Sequence, residues 1–199
     1  MSEDPYLELQ DLIEKTEANV KRLERYSRTY VSPVINEYRY ALFHLVHARN
    51  EGRNSLEELR KAVNHMRRAY CDSCEILLDW LVCSGREYMS AVRENAAISK
   101  VCGVEPEAYA KVLSEATILC HWKDGIVGQN RDCARVQDIQ NAIDRLSEYQ
   151  NSIRDCRFSL KAERIRFKRE RFFVWMSYLL AIISMILSVA VSVVSLKGW

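Results

Sequence analysis

Residues 172–196 read FFVWMSYLLAIISMILSVAVSVVSL, twenty-five positions with no Asp, Glu, Lys, Arg or His among them. As a helix rising 1.5 Å per residue, the stretch covers about 37 Å against a bilayer hydrocarbon core of about 30 Å, so it predicts a tilted transmembrane helix. A signal peptide is excluded by position, because the opening MSEDPYLELQ is polar and acidic. The expectation is a single-pass, tail-anchored chain with residues 197–199 as a short external tail.

The flanks set the orientation, since Lys and Arg are retained on the cytoplasmic side. Residues 157–171 hold seven basic and two acidic residues, while Lys197 is the one basic residue beyond the span. This places the large N-terminal part in the cytoplasm and makes 157–171 a basic juxtamembrane stalk. Arg164, Arg166, Lys168, Arg169 and Arg171 are the predicted contacts to anionic headgroups, each contributing about 1 kcal/mol. Phe172, Phe173, Trp175, Tyr178 and, at the far end, Trp199 suit interfacial anchors.

Within the span, Ser177, Ala181, Ser184, Ser188, Ser192 and Ser195 recur at helical spacing. In lipid, small side chains let helix backbones approach and hydroxyls bond across, at roughly 0.6–2 kcal/mol per contact. The stripe therefore predicts a homo-oligomer, through a self-association face or the wall of a pore. The competing reading is that each serine bonds back to its own helix.

Six Gly and three Pro in 199 residues, with charges spread at helical spacing and no alternating pattern, give an all-α fold. We expect an up-and-down helical bundle over residues 1–156, its last helix continuing into the span. With 21 basic and 25 acidic residues, that body is no bulk polyanion binder. Seven cysteines in helical patterns argue against a disulfide framework in a cytoplasmic domain. Cys71 and Cys74 form a CxxC, but Cys120-His121 is the only nearby complement for a zinc site, so no metal is assigned. Nothing in the residues calls for a cofactor or a small-molecule substrate.

Asp4 and Pro5 open a first helix to about Tyr30, with Tyr6, Leu9, Ile13, Thr16, Val20, Leu23, Ser27 and Tyr30 as its seam. Ser32-Pro33 opens a second to Asn50. Ser55 and Glu58, spaced as a capping box, open a third running to about Ser99, with Gly85 as its candidate kink. Pro106 opens a fourth to about Trp122. A fifth begins near Arg131, and no Pro or Gly interrupts it before the span.

If the second and third helices form a hairpin, His44 and His47 return beside Arg60 and His65. Arg60 and His65 also have the spacing R-x4-H, and here the chain resembles the HEPN superfamily of small helical bundles. Its ribonuclease members place an Arg and a His from each of two protomers around a scissile phosphate, so the resemblance implies Arg60 as the charge-stabilising and His65 as the proton-handling residue of a metal-independent endoribonuclease. The chain departs from the pattern at Lys61, where family nucleases commonly carry Asn, Asp or His. Joined to a span, the bundle resembles the membrane accessory proteins of RNA-targeting CRISPR and other bacterial antiviral systems. That resemblance implies an effector that oligomerises and perturbs the bacterial inner membrane, with RNA or an RNA-guided effector among its partners. The alternatives are a membrane-tethered ribonuclease and a tail-anchored helical adaptor.

Overall fold

A computed structural model describes residues 4–27, 31–50, 55–121 and 133–197; within these, the side chains of residues 50, 121, 133, 134, 157, 158, 160, 163, 164 and 185–197 are not described. All the described elements are helices: α1 (Pro5–Ser27), α2 (Ser32–Asn50), α3 (Ser55–Glu94), α4 (Ala97–Cys102), α5 (Pro106–His121), α6 (Cys133–Asp155) and α7 (Arg157–Lys197). Their contacts divide the chain into two units, Met1–Ser90 with Glu105–Asn151, and Ala91–Val104 with Ser152–Trp199.

Local chemistry explains the helix ends. The Asp4 carboxylate accepts the Tyr6 N–H at 2.9 Å, one of the donors a helix start leaves unpaired, and Pro5 needs no partner there. The expected third helix stops at Glu94, where the Asn95 side chain accepts the Ala97 N–H at 3.0 Å and so competes with helical pairing. Gly103, at φ 62°, closes α4: its N–H reaches the Lys100 carbonyl at 3.3 Å and that of Val104 reaches the Ser99 carbonyl at 3.2 Å. This pairing needs a left-handed residue, hence glycine.

In the first unit the helices alternate in direction. Between α1 and α3, and between α1 and α6, partners keep a nearly constant difference in residue number. Examples are Glu8–Arg67 and Asn19–Cys74 for the first pair, and Arg22–Asp144 and Tyr26–Asn151 for the second. Those helices run parallel. Between α2 and α3 the numbers sum to 102 in both Glu37–His65 and His44–Glu58, and α5 meets α6 through Glu115–Arg145 and Tyr109–Tyr149 in the same opposed sense. The unit is an up-and-down bundle of α1, α2, α3, α5 and α6.

Its core follows the 40-residue α3, whose Leu59, Val63, Met66, Leu77, Leu78, Leu81 and Val82 are buried with Leu9 and Leu23 of α1 and Ile143 and Leu146 of α6. A polar cluster sits inside it. The Asn19 amide donates to Ser73 Oγ at 3.3 Å, Cys74 Sγ at 3.2 Å and Gln140 Oε1 at 3.2 Å, and Tyr70 OH donates to the same Gln140 oxygen at 3.3 Å. The α1 seam therefore runs through Leu12 and Asn19 in place of Ile13 and Val20.

Gly85, the expected kink, is a clearance in an α3 that stays one helix through it. A Cβ there would lie 2.6 Å from Tyr109 Oη and 2.7 Å from Leu113 Cδ1, so its lack of a side chain is what lets α5 pack this closely on α3.

In the second unit α4 packs on α7, and the Cys156 thiol donates to the Val101 carbonyl at 3.2 Å. Cys156 also ends α6, so the expected unbroken last helix is two helices, and α7 starts at the basic segment. The 172–196 stretch lies within α7, a helix of 41 residues. Among the described residues no helix is long and apolar enough to cross a membrane, and the side chains of this stretch past Ser184 lie outside them.

Gly85→Ala should destabilise the bundle by about 1–3 kcal/mol through overpacking. Tyr109→Phe in that background should recover part of the loss, because it removes the nearest clashing atom. Chemical denaturation followed by circular dichroism reads both, and an unchanged midpoint in Gly85→Ala would contradict the close α3–α5 approach.

Candidate functional site

The hairpin of α2 and α3 brings His44 and His65 together, their rings stacked at 5.2 Å between centroids and 16° between planes. Each imidazole is held from the opposite helix: His44 Nδ1 lies 2.7 Å from Glu58 Oε2, and His65 Nδ1 lies 2.7 Å from Glu37 Oε2. A carboxylate can only accept, so Nδ1 of each ring carries a proton towards its glutamate. All four side chains are largely buried. Glu37 precedes His44 by seven positions, as Glu58 precedes His65, so the antiparallel hairpin swaps two equivalent pairs about a local two-fold. Around them, Tyr40 leans on His65 at 5.3 Å and Phe43 on His47 at 4.4 Å.

Lys61 breaks the symmetry. Its ammonium donates to Glu58 Oε1 at 2.7 Å and pairs with Glu57 at 3.1 Å. Hydrogen bonds from Lys61, then from His44, hold the Glu58 carboxyl down at about 2. Glu58, expected as the return half of a capping box, thus gives its oxygens to Lys61 and His44.

Arg60 stands apart from this cluster. Five positions before His65 on one helix, it points roughly 140° away around the axis, and it is exposed. The expected gathering of three histidines is present; the convergence of Arg60 on it within one chain is not. Glu37 escaped the sequence reading and Glu58 entered it only as a capping residue, although the repeated E-x6-H spacing is a signal for an antiparallel pair.

The CxxC lies in the polar core. Burial pushes the Cys74 thiol up to about 12 and the Tyr70 hydroxyl above its ordinary value. A thiol kept protonated in this way is a poor nucleophile and a poor metal ligand. Among the described residues no group of three His, Cys, Asp or Glu is placed to hold a metal ion; the side chain of His121 lies outside them.

On α7 the predicted headgroup contacts are differently engaged. Arg166 pairs with Glu170 at 3.0 Å, while the guanidinium groups of Arg169 and Arg171 lie 6.0 Å and 5.9 Å from the centroids of the Phe173 and Phe167 rings. Lys168 is exposed, and the Arg164 side chain is outside the described residues. In the small-residue stripe, Ser177 donates to the Phe173 carbonyl at 2.9 Å, the back-bond of the competing reading. Ala181 and Ser184 are exposed, whereas the side chains of Ser188, Ser192 and Ser195 are outside the described residues.

The depressed Glu58 carboxyl has a consequence for stability. Its folded pKa lies below the ordinary value of 4.5, so its contribution is fully present above pH 4.5 and is lost as pH falls towards 2. Glu58→Gln should lower the unfolding midpoint at pH 7, with the gap to the parent closing between pH 4.5 and 2. A gap of the same size at pH 2 would contradict the pairing.

No protein family, curated protein or solved structure matches the chain, so its function is argued from these residues alone.

Proposed function

We propose that the chain is a single-pass membrane effector, held by α7 in the bacterial inner membrane, with its bundle in the cytoplasm, that homo-oligomerises and permeabilises or perturbs that membrane in antiviral defence. One observation carries this reading: Phe172, Phe173, Val174, Trp175, Tyr178, Leu180, Ile182 and Ile183 are all exposed, at 44–68%, around the circumference of α7. A helix apolar on every side needs apolar surroundings, and a bilayer supplies them. The uncharged sequence continues past them to residue 196, and the basic segment before them suits a cytoplasmic interface. The stripe of small residues gives the helix a face for self-association, and the resemblance to antiviral membrane proteins supplies the defence setting.

The ribonuclease reading is favoured by a separate observation, the carboxylate that orients His65 as it would a general base. In it, Arg60 and His65 would act on RNA. Since they diverge on one helix, a shared phosphate would have to lie between groups from two chains. The adaptor reading keeps α7 as a mere anchor.

Two experiments separate these readings. Ser184→Leu with Ser188→Leu should abolish dye leakage from liposomes carrying the full chain with its activating partner, whereas Ile183→Leu with Ile186→Leu, off the stripe, should leak like the parent. Equal leakage from both pairs would move the reading to the adaptor. RNA cleavage by the parent, lost in folded Arg60→Ala and His65→Ala, would move it to the ribonuclease.

A further inference from the structure

Helix α2 carries an apolar face that the bundle leaves uncovered. Its inward positions are Val34, Ala41 and Ala48, seven residues apart and buried, while Tyr40, Leu42, Phe43 and Val46 are 52–62% exposed. Arg39, Leu42, Phe43 and Val46 stand at i, i+3, i+4 and i+7, and so share one side of the helix. Arg49 follows three residues after Val46, and both arginines are exposed. Glu37 is the single acidic residue of α2, and His65 holds it in the seam with α3. Among the described residues, the outer face of α2 thus presents apolar side chains and arginines with no exposed carboxylate of its own.

We propose that this face of α2 docks the bundle onto an anionic phospholipid surface, an inference that rests on the reading of α7 as a membrane anchor. The charge on the face selects the occupant. A second copy meeting it about a two-fold axis would bring Arg39 and Arg49 against the same arginines, with no exposed carboxylate of α2 to receive them. Lipid phosphates pair with both guanidinium groups, and the boundary beneath them takes up Leu42, Phe43 and Val46, the arrangement of an interfacial amphipathic helix. An anchor within the same chain holds the bundle close to such a surface, so each docking event is intramolecular and weak contacts suffice.

The test uses the full chain in vesicles with the photo-crosslinker benzoylphenylalanine at position 43, or at position 111 of α5 as an exposed control. In vesicles of equal parts phosphatidylglycerol and phosphatidylcholine, position 43 should form lipid adducts and position 111 almost none. The adduct yield at 43 should fall at least several-fold in pure phosphatidylcholine, and equally in Arg39→Gln with Arg49→Gln. Chain-to-chain adducts at 43, adducts to an added acidic helical peptide in place of lipid, or equal lipid yields at 43 and 111 would each overturn the proposal. Resistance to alkaline carbonate, measured on the same samples, reads the anchor separately. A chain that resists stripping but forms no lipid adduct at 43 overturns the α2 face alone. A chain that is stripped yet cross-links lipid at neutral pH overturns the span and keeps the face.

Discussion

The side-chain amide of Asn19 is the contact on which the helical alignment of the bundle depends. Buried between α1, α3 and α6, it donates to Ser73, Cys74 and Gln140. An amide left without partners at such a site costs about 1–3 kcal/mol, so any slip of one helix along another is penalised by the same group that rewards the native alignment. Apolar seams tolerate sliding, and a buried amide does not. The neighbouring contacts agree in register: Arg22 with Asp144 and Tyr26 with Asn151 fall on the same alignment of α1 with α6, and Tyr26 stacks on Trp80 at 5.2 Å along α3.

The α2–α3 hairpin is registered by a different device. Its two Glu–His pairs are equivalent under the local two-fold, so a shift of one helix by a turn would break both together and leave Glu37 without its imidazole donor and Glu58 with Lys61 alone. Lys61 then fixes the charge state on one side only, holding Glu58 ionised far below neutral pH. The two imidazoles therefore sit in unequal surroundings despite equivalent hydrogen bonds. The arrangement serves the fold whether or not chemistry is done there, which is why the histidine cluster alone does not identify an enzyme.

How much of this was legible in the sequence depended on the kind of signal. Helix starts were, because Asp4-Pro5, Ser32-Pro33, Ser55 and Pro106 act through local sterics and capping that need no knowledge of the fold. The ends at Glu94 and Asp155 were not: no Pro or Gly marks them, and the groups that engage the chain there are an Asn side chain and a thiol bonded to a carbonyl of α4. Asn19 was passed over because a polar residue at a seam position reads as a surface residue until its partners on two other helices are known. Gly85 was noticed for the wrong reason, since its effect lies in the ring and methyl group it admits and not in its own backbone. Leu42 and Val46 matched a helical period and still face outward, because α2 is apolar over more of its circumference than its neighbours cover.

That excess of apolar surface recurs on α7 in stronger form. Each large apolar side chain moved fully out of water contributes about 1.5–3 kcal/mol, and α7 exposes eight in the twelve positions from Phe172 to Ile183. In the proposed reading lipid or other copies of the helix cover this load, which α7 presents on all sides. The residues just before it answer to water instead, with Arg166, Lys168, Arg169 and Arg171 within six positions. Around this change Arg171 lies over Phe167 and Arg169 over Phe173, so that cations and rings interleave over about two helical turns. Such exposed cation–π pairs contribute about 0.5–1 kcal/mol each, and in the proposed membrane they would keep the guanidinium groups near water and phosphate while the rings enter the apolar side. If α7 spans a bilayer as proposed, this change from charged to apolar residues would fix its depth along the helix axis, and depth is what a self-associating face would have to hold constant for copies of the helix to meet in register.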